Sequence, residues 1–370
     1  MKYYIIAGEA SGDLHASNLI KELRKKDEQA SIRAWGGDLM EAQGAQIVKH
    51  YRELAFMGFL EVILNLRTIL GNISFCKKDI LEFQPDTIIL VDYPGFNLRI
   101  AEWAHLQGFR VVYYISPQVW AWKKNRVFKI KKYVDEMIVI LPFEKDFYDK
   151  YDYPVSYVGH PLLDALPEAK EESTEIRRKL DMNDQPIIAL LPGSRKQEVK
   201  KMLSIMLTQV SNFPNYQFVI AGAPSLEEEF YKEIIGNKDI KIVHNQTHQL
   251  LQISHAALVT SGTATLETAL IGIPEVVCYK GSRISFEIAK RIVDIKYISL
   301  VNLIMDQEVV KELIQQELNE KNLKIELSKI LEGGGREKML QSFVDLKEKL
   351  GAGGASERAA EIIFQTNNSH

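Results

Sequence analysis

Four short stretches bring glycine, small hydroxyl residues and charge together where an apolar run ends. The first is Ala7-Gly8-Glu9-Ala10-Ser11-Gly12-Asp13. Its glycines allow a tight turn and close approach to a ligand, and a helix beginning there attracts anions. The spacing is not Gly-x-Gly-x-x-Gly, so a nicotinamide reading is weak. Capping of a helix by Ser11 or Asp13 explains the stretch as simply. What points to a ligand is Glu9, at the carboxyl end of a first parallel strand, where open α/β sheets bind their ligands. The second stretch is Val91-Asp92-Tyr93-Pro94-Gly95-Phe96-Asn97. A carboxylate closing an apolar strand is partly desolvated and gains basicity, which suits Asp92 to take a proton from a hydroxyl. A turn-forming Asp before Pro-Gly is the plain alternative.

The third stretch, Leu191-Pro192-Gly193-Ser194-Arg195-Lys196-Gln197-Glu198, offers main-chain N–H groups at Gly193 and Ser194. Arg195 can hold a phosphate bidentately. The Gly-Lys-Ser/Thr ending of a triphosphate loop is missing, and a capped helix with surface charge fits equally well. In the fourth, Thr260-Ser261-Gly262-Thr263-Ala264-Thr265-Leu266-Glu267, small residues open a helix whose N–H groups suit a diphosphate. Glu267, one turn further on, could accept both hydroxyls of a ribose. Close packing of small residues on a sheet is the structural alternative. A fifth stretch, Ser299-Leu300-Val301-Asn302-Leu303, sets one amide in an apolar run and says little alone. Together, two phosphate-suited turns in the second half and a carboxylate in the first suggest donor binding and acceptor chemistry across a cleft.

The elements that must hold these turns are short apolar runs alternating with helical patterns. The runs are Tyr3–Ala7, Ser31–Trp35, Thr87–Val91, Arg110–Ile115, Met137–Leu141 and Val155–Val158, then Ile187–Leu191, Gln217–Ala221, Ile240–Val243, Ala257–Thr260 and Glu275–Tyr279. Helical spacing falls between them, as in Leu14–Lys26 and Ile100–Gln107. Such alternation predicts parallel sheets covered by helices. The pattern restarts near residue 186, so the expected fold is α/β with two Rossmann-like domains facing a cleft. Residues 1–165 form the first domain, joined by the tail 346–370, and 166–345 form the second. Gly159-His160-Pro161 and the acidic stretch Glu168 to Glu175 mark the junction. After residue 305 only helices are expected.

With 370 residues, 46% hydrophobic and 26% charged, the chain has material for two cores and is neither disordered nor fibrous. A net charge of -3 gives no global attraction to nucleic acid, and no nucleic-acid partner is expected. The two cysteines, Cys76 and Cys278, are far apart, which fits a reducing compartment and neither a disulfide framework nor a zinc site. Neither a signal segment nor an apolar stretch of about 18 residues is evident, so a cytoplasmic protein is expected, at most on a membrane surface.

The ordered set of motifs resembles the lipid-A-disaccharide synthase family, inverting glycosyltransferases of the GT-B architecture. The residues carrying the resemblance are Gly8 through Asp13, Ser116-Pro117-Gln118-Val119-Trp120-Ala121-Trp122, Leu141-Pro142-Phe143-Glu144, Gly159-His160-Pro161-Leu162, Leu191 through Glu198 and Ser261 through Glu267. The paired tryptophans are the most distinctive. The resemblance runs from about residue 3 to about residue 345. It implies UDP-2,3-diacylglucosamine as donor and 2,3-diacylglucosamine 1-phosphate as acceptor. The products would be a β-1,6-linked disaccharide 1-phosphate and UDP.

Matched position by position, the resemblance makes Asp92 the general base, with Glu9 beside it as a second catalytic candidate. It places Gly193, Ser194, Arg195, Glu198, Ser261, Gly262, Thr263, Glu267 and Asn302 around the UDP-sugar. Two positions depart from the family pattern: Val301 replaces a proline, and Gly95 stands where many relatives carry a second aspartate. Between Met57 and Leu70, residues Leu60, Ile63, Leu66, Ile69 and Leu70 recur at helical spacing. This stripe is read either as core or as an acyl-chain and inner-membrane face. The basic run from Lys123 to Lys132 could meet anionic headgroups, or be a solvated helix face. His160 is read as structural, no metal or cofactor is expected, and a homodimer is left open. The rival readings are another GT-B nucleotide-sugar enzyme, such as a peptidoglycan-type glycosyltransferase or a sugar epimerase, and a sugar-binding protein without chemistry.

Overall fold

The computed structural model describes residues 1–54, 66–121, 124–166, 172–282, 286 and 295–367. The chain divides into two units, Met1–Ala165 with Leu350–His370, and Leu166–Lys349.

In the first unit the strands are β1 (Lys2–Ala7), β2 (Ser31–Gly36), β3 (Gln46–His50), β4 (Thr87–Val91), β5 (Arg110–Tyr114), β6 (Glu136–Val139) and β7 (Ser156–Tyr157). They pair in the order β3-β2-β1-β4-β5-β6-β7, and every pairing is parallel. Central strands such as β1 and β4 are apolar at nearly every position because helices cover both faces. Alternate residues therefore serve different layers. Tyr4, Ile6, Ile88, Leu90, Val111 and Tyr113 pack on Ile73, Cys76, Ile80, Ile100 and Ile130 from the helices Leu66–Phe83, Pro94–Leu106 and Arg126–Tyr133.

The C-terminal helix Ala355–Asn367 packs against the helix Ala10–Lys26 of the same unit. Its N-terminus is held by Asp164, whose carboxylate accepts the N–H groups of Gly354 at 2.6 Å, Ala355 at 3.3 Å and Ser356 at 2.7 Å. Those orphan donors of a helix start need acceptors, and a carboxylate there also meets the positive end of the dipole. Arg358 then donates twice to the carbonyl of Val158, at 2.9 and 2.7 Å.

The second unit repeats the plan with β8 (Ile187–Leu191), β9 (Gln217–Gly222), β10 (Lys241–His244), β11 (Ser254–Thr260), β12 (Glu275–Tyr279) and β13 (Lys311–Ile314). Its order is β10-β9-β8-β11-β12-β13, again all parallel. Both sheets are thus doubly wound, as the alternation of runs predicts. Two edge strands depart from the sequence reading. β3 has only two apolar residues among five and is only partly buried. β13 corrects the expectation of helices alone after residue 305. With Lys311 and Glu312 among its four residues it carries no apolar run, and pairing with β12 defines it.

Candidate functional site

In each sheet the chain leaves the central pair of strands in opposite directions. The switch points lie between β1 and β4 and between β8 and β11. Open α/β sheets bind ligands at the carboxyl ends of such strands. All four principal motifs are the turns at these two points. Ala7 pairs with Val91, so Gly8-Glu9 and Asp92-Tyr93 run on side by side. Likewise Leu191 pairs with Val259, which sets the Gly193 turn beside the Ser261 turn.

The turn after β4 is strained and tightly held. Asp92 and Tyr93 have φ of 44° and 49°. Side chains disfavour this left-handed region by about 1–2 kcal/mol per residue. Ile115, closing β5 next door, has φ of 66°, an outlier for a β-branched residue. Such backbone persists only where its surroundings over-determine it, and it clusters at functional sites. The determinants here are explicit. Asn97 Nδ2 donates to the carbonyls of Asp92 at 2.8 Å and Val91 at 3.2 Å. Tyr113 Oη donates to the Asp92 carbonyl at 2.6 Å, and the Asp92 N–H reaches the Tyr114 carbonyl at 3.3 Å. Gly8 completes the packing: a Cβ there would lie 2.4 Å from the Tyr93 ring, so only glycine lets the two turns meet.

Asp92 itself is half-buried. Burial first, and then the nearby Glu9 carboxylate, raise its pKa to about 7. Glu9 is the half-buried N-cap residue of the helix Ala10–Lys26. Neither Ser11 nor Asp13 caps that helix. Buried Asp13 instead accepts the N–H groups of Gly37 at 2.8 Å and of Leu39 and Met40 at 3.2 Å, tying the first motif to the turn after β2. Glu144 is also buried; burial pushes its pKa up to about 7, although the N–H groups of Ile140 and Leu141 donate to it. Trp120 packs edge-on against Phe143, with ring centroids 5.0 Å apart. Trp122 and Lys123 lie outside the described residues. His160 is buried edge-on to His15, accepts the Leu162 N–H at 3.2 Å, and is driven down to about pH 3 by burial.

In the second unit Gly193 has φ of 102°, which favours glycine, and the Glu198 carboxylate lies where a Cβ at Gly193 would point. Glu198 reaches back toward the Ser194 N–H at 3.4 Å, the geometry of a helix-start carboxylate. Its pKa is raised by burial, against the pull of Arg195. Arg195 is the exposed N-cap residue of the helix Lys196–Met206. Gly262 precedes the helix Thr263–Ile271 with extended backbone, and a Cβ there would meet nothing within 4 Å. Among the described residues packing therefore imposes no glycine here, and the space beside the Gly262 Cα is open. Ser261 donates from its N–H to the Cys278 carbonyl at 3.0 Å and from Oγ to the Ile298 carbonyl at 3.3 Å. Thr263 and Glu267, four residues apart, share one helix face. Glu267 is paired with His248, a partner that nothing in the local sequence announces.

Asn302 is placed differently from its neighbours in the sequence reading. It is fully buried, and both ends of its amide are used. Nδ2 donates to the Val310 carbonyl and to Glu312 Oε1, each at 2.9 Å; Oδ1 accepts the N–H groups of Val309 at 2.8 Å and Val310 at 3.0 Å. Glu312 also receives the N–H groups of Ile298 and Ser299, both at 2.9 Å. Asn302 thus braces the segment against which Ser261 rests. Of the helical stripe, Leu60 and Ile63 and the side chain of Leu66 lie outside the described residues; Ile69 packs on the core, while Leu70 is 56% exposed.

Two doubly wound parallel sheets with their turns at the switch points are the GT-B architecture. Solved structures of that class superpose on nearly the whole chain. A UDP-GlcNAc 2-epimerase from Neisseria meningitidis bound to UDP-GlcNAc has a TM-score of 0.70 at 14% identity, covering 99% of this chain and 100% of its own. The glycotransferase of kitacinnamycin has a TM-score of 0.66 at 13% identity, covering 98% of both chains. At such identities the likeness shows the fold. Sequence decides the family: the lipid-A-disaccharide synthetase model matches residues 3–364, and the chain belongs to that family. The lipid-A-disaccharide synthase of Syntrophus aciditrophicus is 39% identical over 97% of this chain and 96% of its own length. That of Geobacter metallireducens is 36% identical over 98% and 96%. The protein is a glycosyltransferase that forms the lipid A disaccharide.

Proposed function

We propose that the enzyme transfers 2,3-diacylglucosamine from its UDP derivative to the 6-hydroxyl of 2,3-diacylglucosamine 1-phosphate. The first unit supplies the base and the second holds the nucleotide. The observation that carries the assignment is Asp92: half-buried at a switch point, on strained backbone, with a carboxyl titrating near 7. Such a group is a carboxylate for much of the time at neutral pH yet holds a proton far better than an ordinary Asp, which is what a general base needs. Glu9 assists by charge, since its proximity raises the basicity of Asp92.

As Asp92 takes the proton, the 6-oxygen attacks the anomeric carbon from the face opposite UDP and inverts it. Charge grows on the departing diphosphate. The N-terminus of the helix Thr263–Ile271 and the guanidinium of Arg195 meet that charge. Glu267 receives the ribose hydroxyls one turn along, while Asn302 and Glu198 shape the two turns without touching the sugar. Both substrates carry acyl chains, and among the described residues no helix is long and apolar enough to cross a membrane. The enzyme meets its substrates at the membrane surface through the neighbouring helices Leu66–Phe83, Pro94–Leu106 and Arg126–Tyr133, which expose Leu70, Phe75, Leu106 and Phe128. The test is UDP release from the diacylated UDP-glucosamine with and without the acceptor. Release that depends on the acceptor and yields a β-1,6 disaccharide is expected; release at the same rate without acceptor would overturn the reading.

A further inference from the structure

Glu267 does not stand alone on its helix face. Its Oε1 is hydrogen-bonded to Nε2 of His248, which belongs to a separate element, the helix Thr247–Gln252. The two helices pack against each other, and their side chains are mostly covered, with 29% of His248 and 18% of Glu267 exposed. Glu267 in turn holds the imidazole above its ordinary pKa. Among the described residues, Oε2 of Glu267 takes no hydrogen bond or ion pair. A carboxylate has about four acceptor positions, so one donor from His248 leaves room for two hydroxyls. A long acidic side chain without such a partner must give up rotamer freedom when its ligand arrives, whereas one already held does not.

We infer that His248 is a positioning residue for nucleotide recognition, fixing the Glu267 carboxylate in the orientation that receives the ribose hydroxyls. This rests on the assignment of Glu267 to the ribose made above. It adds that discrimination between ribose and deoxyribose depends on a residue from another helix, which does not itself touch the sugar.

The experiment compares UDP with 2′-deoxy-UDP by titration calorimetry on the full chain, for the parent and four variants. His248→Ala should weaken UDP about fivefold and leave 2′-deoxy-UDP nearly unchanged, as expected when one oriented hydrogen bond is loosened. His248→Phe, which keeps a ring but no donor, should behave alike. His248→Gln retains a donor for the carboxylate and should restore most of the parent's preference. Equal weakening of both nucleotides in His248→Ala and His248→Phe indicates a merely structural ring and overturns the proposal; so does a preference equal to the parent's. Glu267→Ala separates the two levels. If it keeps the preference for UDP, the ribose assignment itself fails. If it loses the preference while His248→Ala and His248→Phe keep it, only the role of His248 fails.

Discussion

The buried amide of Asn97 donates to the main-chain carbonyl of Asp92 at 2.8 Å, across a turn where two successive non-glycine residues are left-handed. The same Nδ2 also faces the Val91 carbonyl at 3.2 Å and the Ile6 carbonyl at 3.4 Å, so a single side chain fastens the ends of β1 and β4. Asn97→Leu keeps the size and removes the donor. It should cost about 1–3 kcal/mol in urea unfolding, the usual penalty for stranding buried polar groups. If Asp92 is the base, turnover should fall about tenfold as its carboxylate loses its aim, in keeping with the sensitivity of catalysis to small misplacements. A destabilised variant with parental turnover would show that Asn97 serves the fold alone.

Asp92→Asn should lower turnover at least about a hundredfold with donor affinity nearly intact, because only the proton acceptor is lost. In the parent, kcat/KM should climb with pH through about 7, where Asp92 ionises, and the variant should lose that limb. Stability gives an independent check. A carboxyl whose folded pKa is raised binds its proton more tightly folded than unfolded. Its favourable contribution is complete below the unfolded value near 4 and is lost as pH rises through about 7. The variant should therefore gain on the parent between pH 5 and pH 8 in melting temperature. An unchanged difference across that range would mean that the Asp92 carboxyl is not desolvated.

Gly95 stands where the family resemblance expects an aspartate, in the first turn of the helix Pro94–Leu106. It is exposed, and among the described residues a Cβ there would meet nothing within 4 Å. Gly95→Asp should fold and gain about 0.3–1 kcal/mol from an acidic group at a helix start. Turnover should stay within about threefold of the parent if Asp92 is the sole base. A rise of tenfold or more would show that the second carboxylate assists the chemistry.

Asn302→Ala removes an amide that satisfies two N–H groups and bonds a buried carboxylate. It should destabilise the second unit by about 2–4 kcal/mol, more than a surface change could. UDP affinity should fall only as far as the Ser261 turn loosens, within about fivefold. A stable variant that no longer binds UDP would return Asn302 to direct contact with the donor.

The central strands were legible because both of their faces are buried, so their residues form unbroken apolar runs. β3 and β13 lie at sheet edges and carry charge, and no periodicity marks them. Glu9, Asp92, Arg195 and the Ser261 turn could be picked out because strand ends fix where such residues go. The pairs Asn97–Asp92, His248–Glu267 and Asn302–Glu312 escaped for the opposite reason: each joins separate elements, and the partner is set by packing. Asn97 did leave one signal, an amide beside Phe96, Ile100 and Ala101 on the buried face of a helix. Asp13 kept its capping chemistry but applied it to a different helix start from the one beside it.

Leu70 and Phe75 are 56% and 48% exposed on the helix Leu66–Phe83, whose opposite side, with Ile73, Cys76 and Ile80, lies in the core. Exposure of this leucine and phenylalanine on one helix suits the proposed interfacial role, in which each methylene that enters the bilayer contributes about 0.8 kcal/mol. When both residues are replaced by Ser, Leu70→Ser should change unfolding free energy by no more than about 0.5 kcal/mol, as at other exposed positions; Phe75→Ser should cost somewhat more, because the Phe75 ring also lies 6.1 Å from that of buried Trp35. Binding to vesicles containing anionic lipid should fall on the order of tenfold or more, given the number of carbons withdrawn. Ile73→Ser is the control: it faces the core and should cost several kcal/mol by loss of burial and the cavity left behind, at roughly 2–5 kcal/mol for such truncations. A folded double variant that binds vesicles as tightly as the parent would remove this helix from the membrane contact. Binding lost only at high salt would instead point to the basic helix Arg126–Tyr133, where the ion pair of Lys129 with Glu102, at 3.1 Å, and the bond from Lys131 to the Tyr151 carbonyl, at 2.9 Å, already use part of its charge.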